Sequence, residues 1–416
     1  MARISDLDYV YKKENLYRAW RWILSNPNNA YKKYFRDLYS SYNLSIEDNI
    51  ADLHMRLKNE SYEPVRPCQV YVPKNTILMR KFTLLSIEDQ IVYQAFINVI
   101  AEYHYKKVKY RYHNTVFGNL YAGKKAKWFY RKWIDSYNRY RRSLKRSYNL
   151  GSLYIASFDL TACYDSIDHQ VIEYFLNKYG IQKEFCDKLK SCLLRWSANN
   201  EMLHGHGIPQ GPLASGLLSE VVLSHFEDRY EKFKKKHKDV YYFRYVDDIK
   251  LLGRDERSLR VVLTHLDYAS KQIGLFPQSQ KITIHKIVDI DKETRSISLP
   301  IEEVRKKVDY RRQINKKIVE LTRNHHVDNP TEFKLYLANA SHTAQLSLRL
   351  LDLLNHHPEM SENIALYFQT YPRKISSKVV DKLILECRKP EIFQIVNSQQ
   401  IESFKYRISE SENNKI

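Results

Sequence analysis

The chain reads as an α+β fold, with a few short strands in its middle and helices on either side of them. Three observations carry that reading. Leu153–Phe158 is an apolar run with the length of a buried strand, Phe243–Gly253 is two short apolar strands pinched around a tight turn, and Lys281–Ile287 alternates apolar and polar residues. The flanking stretches repeat their apolar residues with the 3.6-residue period of helices. A length of 416 residues is ample for a large core and points to two or three subdomains.

Residues 1–60 combine helical periodicity with many aromatic side chains, including Tyr17, Trp20, Trp22, Tyr31, Tyr34, Phe35 and Tyr39, and are expected to form an N-terminal helical extension. Residues 103–148 are different in kind. They hold fourteen Lys/Arg against one acid, Asp135, interleaved with thirteen aromatics such as Tyr110, Tyr112, Trp128, Trp133 and Tyr140. Basic side chains track phosphates and aromatic faces stack on bases, so Arg139, Arg141, Arg142, Lys145 and Arg146 are candidate nucleic-acid contacts. The competing reading is an amphipathic helix pair with its charges in water, and at least half of the aromatics are expected to be buried. The whole chain repeats the bias, with 68 Lys+Arg against 48 Asp+Glu and a formal charge of +20, which favours a polyanionic partner.

Helices are expected near 169–179, closed by Gly180, near 182–196, and near 255–272 before Gly274. Between them, Gly207–Gly216 (GIPQGPLASG) has glycines and prolines that forbid regular structure before a helical period resumes at Leu217–Phe226. Beyond residue 290, segments around 301–324, 331–339, 343–356, 361–370, 376–388 and 391–405 read as short helices punctuated by Pro330, Pro358, Pro372 and Pro390. They fit a helical thumb or a small α-solenoid, with a polar, disordered tail at Ser409–Ile416. The expected boundaries are therefore 1–60, 61–290 and 291–416.

The chemistry concentrates at the strands. Asp247 and Asp248 are adjacent carboxylates at a hairpin turn with no positive residue between them, an arrangement that repels itself unless divalent cations neutralise it. A solvated acidic turn is the plainer alternative. Asp159 stands at the end of the Leu153–Phe158 strand, where a core strand delivers a side chain to a cleft. Carboxylates brought together from separate elements, here Asp159 with the Asp247-Asp248 pair, can hold two Mg²⁺ roughly 3.5–4 Å apart, one for an attacking 3′-hydroxyl and one for departing pyrophosphate. Tyr164, five residues on, offers a ring that would exclude a 2′-hydroxyl, unless it is simply a core tyrosine. Gln210 lies in a loop that lets backbone approach a base pair. Lys281 could reach a triphosphate or be a surface charge.

Cys68, Cys163, Cys186, Cys192 and Cys387 are odd in number and lack CxxC spacing, which indicates neither a disulfide framework nor a zinc site and fits a reducing, cytoplasmic compartment. The start Met-Ala-Arg-Ile-Ser has no apolar signal core, and no run approaches the ~18 apolar residues that span a membrane. His204 and His206 beside glycines read as loop residues.

Four of these segments in this order, FDLTACYDSIDH, GIPQGPLASGLL, YVDD and GLFPQSQK, resemble the palm of a reverse transcriptase, and the resemblance covers roughly residues 60–290. It implies a right-hand polymerase: fingers, a palm with an antiparallel sheet, and a helical thumb. It also implies RNA-directed DNA synthesis from dNTPs, with Asp159, Leu160, Asp247 and Asp248 as the metal set, Mg²⁺ as the ion with Mn²⁺ able to substitute, and Tyr164 as the sugar discriminator. Tyr71–Lys74 and Arg80–Gln90 look like fingers blocks, which adds Lys74 and Arg80 to Gln210 and Lys281 as dNTP-binding candidates; either of the two could equally be a solvated base. Group II intron and retron enzymes mostly carry Ser-Pro after the Pro-Gln-Gly turn, whereas this chain has Ser215-Gly216 followed by Leu217-Leu-Ser-Glu220. That variant is more similar to bacterial abortive-infection and defence-associated reverse transcriptases, type 2 of the latter above all. Val-Thr-Gly of the retron type, a paired-cysteine endonuclease module and a ribonuclease H segment are not found in the sequence. The group implies a bacterial antiphage enzyme with a structured noncoding RNA as template. Template-independent synthesis, primed by a protein hydroxyl, and a catalytically silent nucleic-acid scaffold are the alternatives.

Overall fold

The computed structural model describes residues 5–26, 29–74, 78–197, 204–294, 310–327, 329–370 and 375–387, and the chain divides into two compact units. The first comprises Met1–Gln69 with Phe82–Thr294, the second Val70–Lys81 with Arg295–Ile416.

In the first unit the chain opens with helices α1 (Asp6–Tyr11), α2 (Lys13–Ser25), α3 (Asn29–Lys32), α4 (Arg36–Leu44) and α5 (Ile46–Lys58). Strands β1 (Cys68–Pro73) and β2 (Met79–Leu84) pair with each other, and their Val70–Lys81 portion belongs to the second unit; α6 (Ile87–Val108) of the first unit follows, started by Ser86, whose side chain accepts from the Asp89 amide. Ile91–Ala101 of α6 is buried on every face, as a helix without a polar stripe must be. Residues 1–60 belong to this same unit because α1 and α2 cover α6 through apolar contacts and polar ties, among them Tyr103 Oη donating to Asp6 Oδ1 at 2.8 Å. Asn15 Nδ2 donates to the Ala95 carbonyl at 3.0 Å, and Asn98 Nδ2 donates to Asn15 Oδ1 at 2.9 Å.

Next come α7 (Trp133–Asn149), β3 (Tyr154–Phe158), α8 (Cys163–Ser166), α9 (His169–Tyr179), α10 (Lys183–Ser197), α11 (Leu213–Lys234), β4 (Tyr241–Tyr245), β5 (Asp248–Gly253), α12 (Glu256–Gln272), β6 (Thr283–Lys286) and α13 (Ile290–Glu293). The sheet order is β4-β5-β3-β6, and each of its pairings is antiparallel. Period-two alternation gives the sheet two apolar faces. Ile155, Phe243 and Leu252 pack with Tyr140 and Leu144 of α7, while Ala156, Phe158, Tyr242, Ile249 and Leu251 join the main core with α11 and α12. The expected helices near 169–179, 182–196 and 255–272 are α9, α10 and α12, and Gly180 ends α9 at φ +83°. The loop expected to run through Gly216 stops sooner. Pro212 caps α11, which starts at Leu213, so Gly216 lies inside that helix, where a Cβ would meet the Tyr130 hydroxyl at 2.7 Å.

In the second unit, helices Tyr310–Leu321, Pro330–Leu337, Ala344–Leu354, Ser361–Thr370 and Ser377–Cys387 bury Ile314, Ile318, Phe333, Leu350, Ile364, Phe368 and Val379 among themselves. Pro330 opens its helix with Asn329 as cap, the position where a missing N–H costs nothing. The expected helix over 391–405, Pro372, Pro390, the tail Ser409–Ile416 and the Cys387 side chain lie outside the described residues. Among the described residues no helix is long and apolar enough to cross a membrane.

Candidate active site

The carboxylates meet because of strand register. On β3 and β5, Ser157 faces Lys250 and Phe158 faces Ile249, the last pair of the ladder, so Asp159 leaves the end of β3 where Asp248 begins β5, and its negative charge acts on Asp248. On the other side of β5, Tyr245 pairs with Asp248, leaving Val246 and Asp247 as a two-residue turn. Val246 has φ +59°, a conformation glycine usually supplies in such turns and one that costs a β-branched residue about 1–3 kcal/mol. Gly118 makes room for it. A Cβ on Gly118 would come within 2.5 Å of the Val246 nitrogen.

Asp159 is not bare. Lys281 Nζ donates to its Oδ2 at 2.6 Å, and the Gln278 amide donates to its carbonyl at 2.8 Å. A second bond, Thr161 N–H to the Phe276 carbonyl at 2.9 Å, flanks Leu160 on its other side. The Leu160 side chain is buried, so its main-chain carbonyl is the group that could face a cation. Burial raises the pKa of Asp248, and the nearby negative charges of Asp159 and Asp247 raise it further, against the lowering effect of Lys250 and Lys281. Mutual destabilisation of carboxylates is the condition a divalent cation relieves. Among the described residues no three His, Cys, Asp or Glu side chains close a metal site by themselves. The donor set fits Mg²⁺, which keeps several waters and takes one or two carboxylates together with substrate phosphate oxygens.

Tyr164 sits on α8, half-buried against the main core, and burial pushes its hydroxyl pKa up, with a hydrogen bond to Ser219 opposing. Its carbonyl accepts from the Ile208 amide at 2.8 Å, which ties the Tyr164 segment to the loop carrying Gln210. That loop is held in turn by the Thr83 amide donating to the Gln210 carbonyl at 2.9 Å, by Ser215 Oγ donating to the Pro209 carbonyl, and by Gly211, at φ +123°, lying against the Tyr31 ring. The structure thus gathers Asp159, Leu160, Tyr164, Gln210, Asp247, Asp248 and Lys281 in one unit. Lys74, just past β1, and Arg80 of β2 are exposed and belong to the other unit.

The basic helix α7 divides by face. Ser136, Tyr140, Leu144 and Ser147 turn inward, Arg141 donates to the Thr294 carbonyl, and Lys145 pairs with Asp291. Arg139, Arg142 and Arg146 are exposed. Of the thirteen aromatics in 103–148, only Phe117, Tyr121, Phe129 and Tyr140 are fully buried, fewer than expected, because Tyr110, Trp128 and Trp133 stay exposed and the other six are half-buried. Lys127 and Lys132 lie over the Trp128 ring at 5.2 and 5.5 Å.

Sequence reasoning missed the residues under the turn. Arg244, buried on β4, is held by Glu220 and Glu227 of α11, and burial pushes the Glu220 carboxyl pKa up to about 7 against the pull of Arg244. A signal existed: two glutamates seven apart share one face of an apolar helix, and a lone arginine interrupts an apolar strand.

A family model described as "Reverse transcriptase (RNA-dependent DNA polymerase)" matches residues 72–330. No curated protein sequence matches. Among solved structures, the telomerase of Candida albicans in complex with a TWJ fragment of telomeric RNA is similar at 12% identity and a TM-score of 0.40, over 78% of this chain and 66% of that one. Apo telomerase of Candida tropicalis is similar at 12% identity and a TM-score of 0.41, over 83% of this chain and 63% of that one. The chain thus spans about two thirds of the length of those structures. The family match takes in well over half of the sequence and includes every carboxylate brought together above, and by it the chain belongs to the reverse transcriptase family of RNA-dependent DNA polymerases.

Proposed function

We propose that this chain is an RNA-directed DNA polymerase that adds dNTPs to a 3′-hydroxyl, works in bacterial antiphage defence in the cytoplasm, and copies a structured noncoding RNA. The observation that carries the chemistry is that the ends of paired β3 and β5 bring Asp159, Asp247 and Asp248 close enough for their charges to act on one another. The defence assignment rests on the Ser215-Gly216-Leu-Leu-Ser-Glu220 sequence, and the template on the exposed basic and aromatic residues of 103–148.

Asp159, Asp247, Asp248 and the Leu160 carbonyl are the groups that would hold Mg²⁺, which when bound supplies Lewis-acid stabilisation of phosphoryl oxygens and lowers the pKa of the 3′-hydroxyl. The protein's own residues do the rest. Asp248 is kept in a partly dehydrated setting where charge interactions are strong. The loop at Gln210 supplies main chain that can lie close to a base pair, Tyr164 walls off the 2′ side of the sugar, and Lys281 offers its ammonium to the triphosphate.

Primer extension on an RNA template with Mg²⁺ tests the reading. The wild type should incorporate dNTPs, and the double variant Asp247→Asn, Asp248→Asn should lose several orders of magnitude while remaining folded. Equal incorporation by the double variant would show that these carboxylates are not the metal ligands. Homopolymer made without template would replace the templated reading with template-independent synthesis, and sequencing co-purifying nucleic acid would identify the RNA.

A further inference from the structure

The turn that carries Asp247 and Asp248 rests on a buried charged cluster that the proposed chemistry does not use. Arg244 has 1% of its side chain exposed, Glu220 4% and Glu227 1%. All five guanidinium N–H groups have acceptors. Nε donates to Glu227 Oε1 at 2.7 Å, Nη2 to Glu227 Oε2 at 3.0 Å and to Glu220 Oε2 at 2.9 Å, and Nη1 to Glu220 Oε1 at 3.1 Å. The fifth bond leaves the cluster: Nη1 donates to the carbonyl of Val246 at 2.8 Å.

Burying three charges is a poor route to stability, since well-packed apolar residues of equal volume are often as stable or more so. What an apolar cluster could not supply is that fifth donor, aimed at the one residue of the turn whose φ is strained. The arginine backbone is fixed as well, its amide donating to the Thr115 carbonyl at 2.8 Å and its carbonyl accepting from Phe117 at 2.9 Å. From behind, Gly118 touches Val246 so closely that a Cβ would come within 2.6 Å of its Cγ2. Glu220 and Glu227 stand on α11, the helix that begins three residues after Gln210.

We infer that Arg244, braced by Glu220 and Glu227, is a positioning residue that holds the strained turn so that Asp247 and Asp248 meet a divalent cation in one fixed geometry, and that it ties this turn to the helix following the substrate loop. The inference rests on the metal-dependent reading above. Arg244 touches neither substrate nor cation. It acts through the Val246 carbonyl.

The test measures Mn²⁺ binding to the full chain by electron paramagnetic resonance, with thermal unfolding and primer extension alongside. Arg244→Lys keeps the charge but loses the planar fork, and Gly118→Ala pushes the turn from the opposite side without touching the cluster. A core truncation away from the turn, Leu266→Ala, serves as comparator. Both turn variants should weaken Mn²⁺ binding at least tenfold, with excess metal restoring much of the incorporation, whereas Leu266→Ala should lower thermal stability and leave Mn²⁺ affinity unchanged. Adding Val246→Gly, which tolerates positive φ, to Arg244→Lys should recover part of the lost affinity. Wild-type affinity in folded Arg244→Lys and Gly118→Ala would overturn the inference and leave the polymerase reading intact, and if Arg244→Lys does not fold, Gly118→Ala decides. A wild type that binds no Mn²⁺ would overturn both.

Discussion

Lys281 Nζ lies 2.6 Å from Asp159 Oδ2, so a lysine delivered by the segment before β6 reaches the carboxylate delivered by β3. Such a pair gains little net stability, since the lysine side chain is 53% exposed. Its consequence is for cation binding, because an ammonium and a divalent ion compete for the same oxygen.

Lys281→Met should therefore separate two effects. Removing the ammonium should lower the Mg²⁺ concentration needed for half-maximal incorporation, and should raise KM for dNTP about tenfold if the lysine contacts the triphosphate. Steady-state kinetics over a Mg²⁺ series reads both, and an unchanged Mg²⁺ requirement would show that the pair does not restrain Asp159.

Tyr164→Ala should increase the use of ribonucleotides. Removing one steric clash changes discrimination by about 1–3 kcal/mol, so the ratio of kcat/KM for rNTP over dNTP should rise at least tenfold. An unchanged ratio would make the ring a packing residue, consistent with its place against the core.

The two faces of α7 should behave differently. Gln substitutions at exposed Arg139, Arg142 and Arg146 should weaken RNA binding and reduce the log–log salt slope by roughly 0.7–0.9 for each phosphate no longer neutralised. Gln at Arg141 and Lys145, which are engaged with Thr294 and Asp291, should lower thermal stability and leave the salt slope nearly intact. Salt-titrated binding assays distinguish the sets, and equal slopes in both would assign the whole helix to structure.

Glu220 makes a pH prediction. Its folded pKa, about 7, lies above its ordinary value of 4.5, so between those values the folded state binds more protons than the unfolded state. Stability from this group is then full below about pH 4.5 and falls as pH rises through 7, by an amount on the order of a few kcal/mol. Glu220→Gln cannot titrate there. Urea unfolding should show the variant gaining on the wild type between about pH 5 and 7.5, and a constant difference would place the Glu220 pKa in the ordinary carboxylate range.

Much of this protein is readable without coordinates, and the physical reason is locality. The apolar runs around Ile155 and Ile249, the alternation around Ile284, the glycine that closes α9, and the proline that opens the helix at Pro330 depend on residues a few positions apart. So does the reactive pair Asp247-Asp248, whose repulsion exists wherever the chain places it. What tertiary structure decided is which distant groups meet. Only the pairing of β3 with β5 brings Asp159 near Asp248, only the packing of α11 on β4 buries Arg244 between Glu220 and Glu227, and only the fold places Gly118 against Val246 at φ +59°. α11 starts at Leu213, where glycine content argued for a longer loop, and the tertiary reason for the glycine inside it is the Tyr130 hydroxyl, which a Cβ at Gly216 would meet. Likewise, only the tertiary structure gives Arg141 and Lys145 partners within the chain, the Thr294 carbonyl and Asp291 of α13. These pairings join residues far apart along the chain, and local propensity carries no information about them.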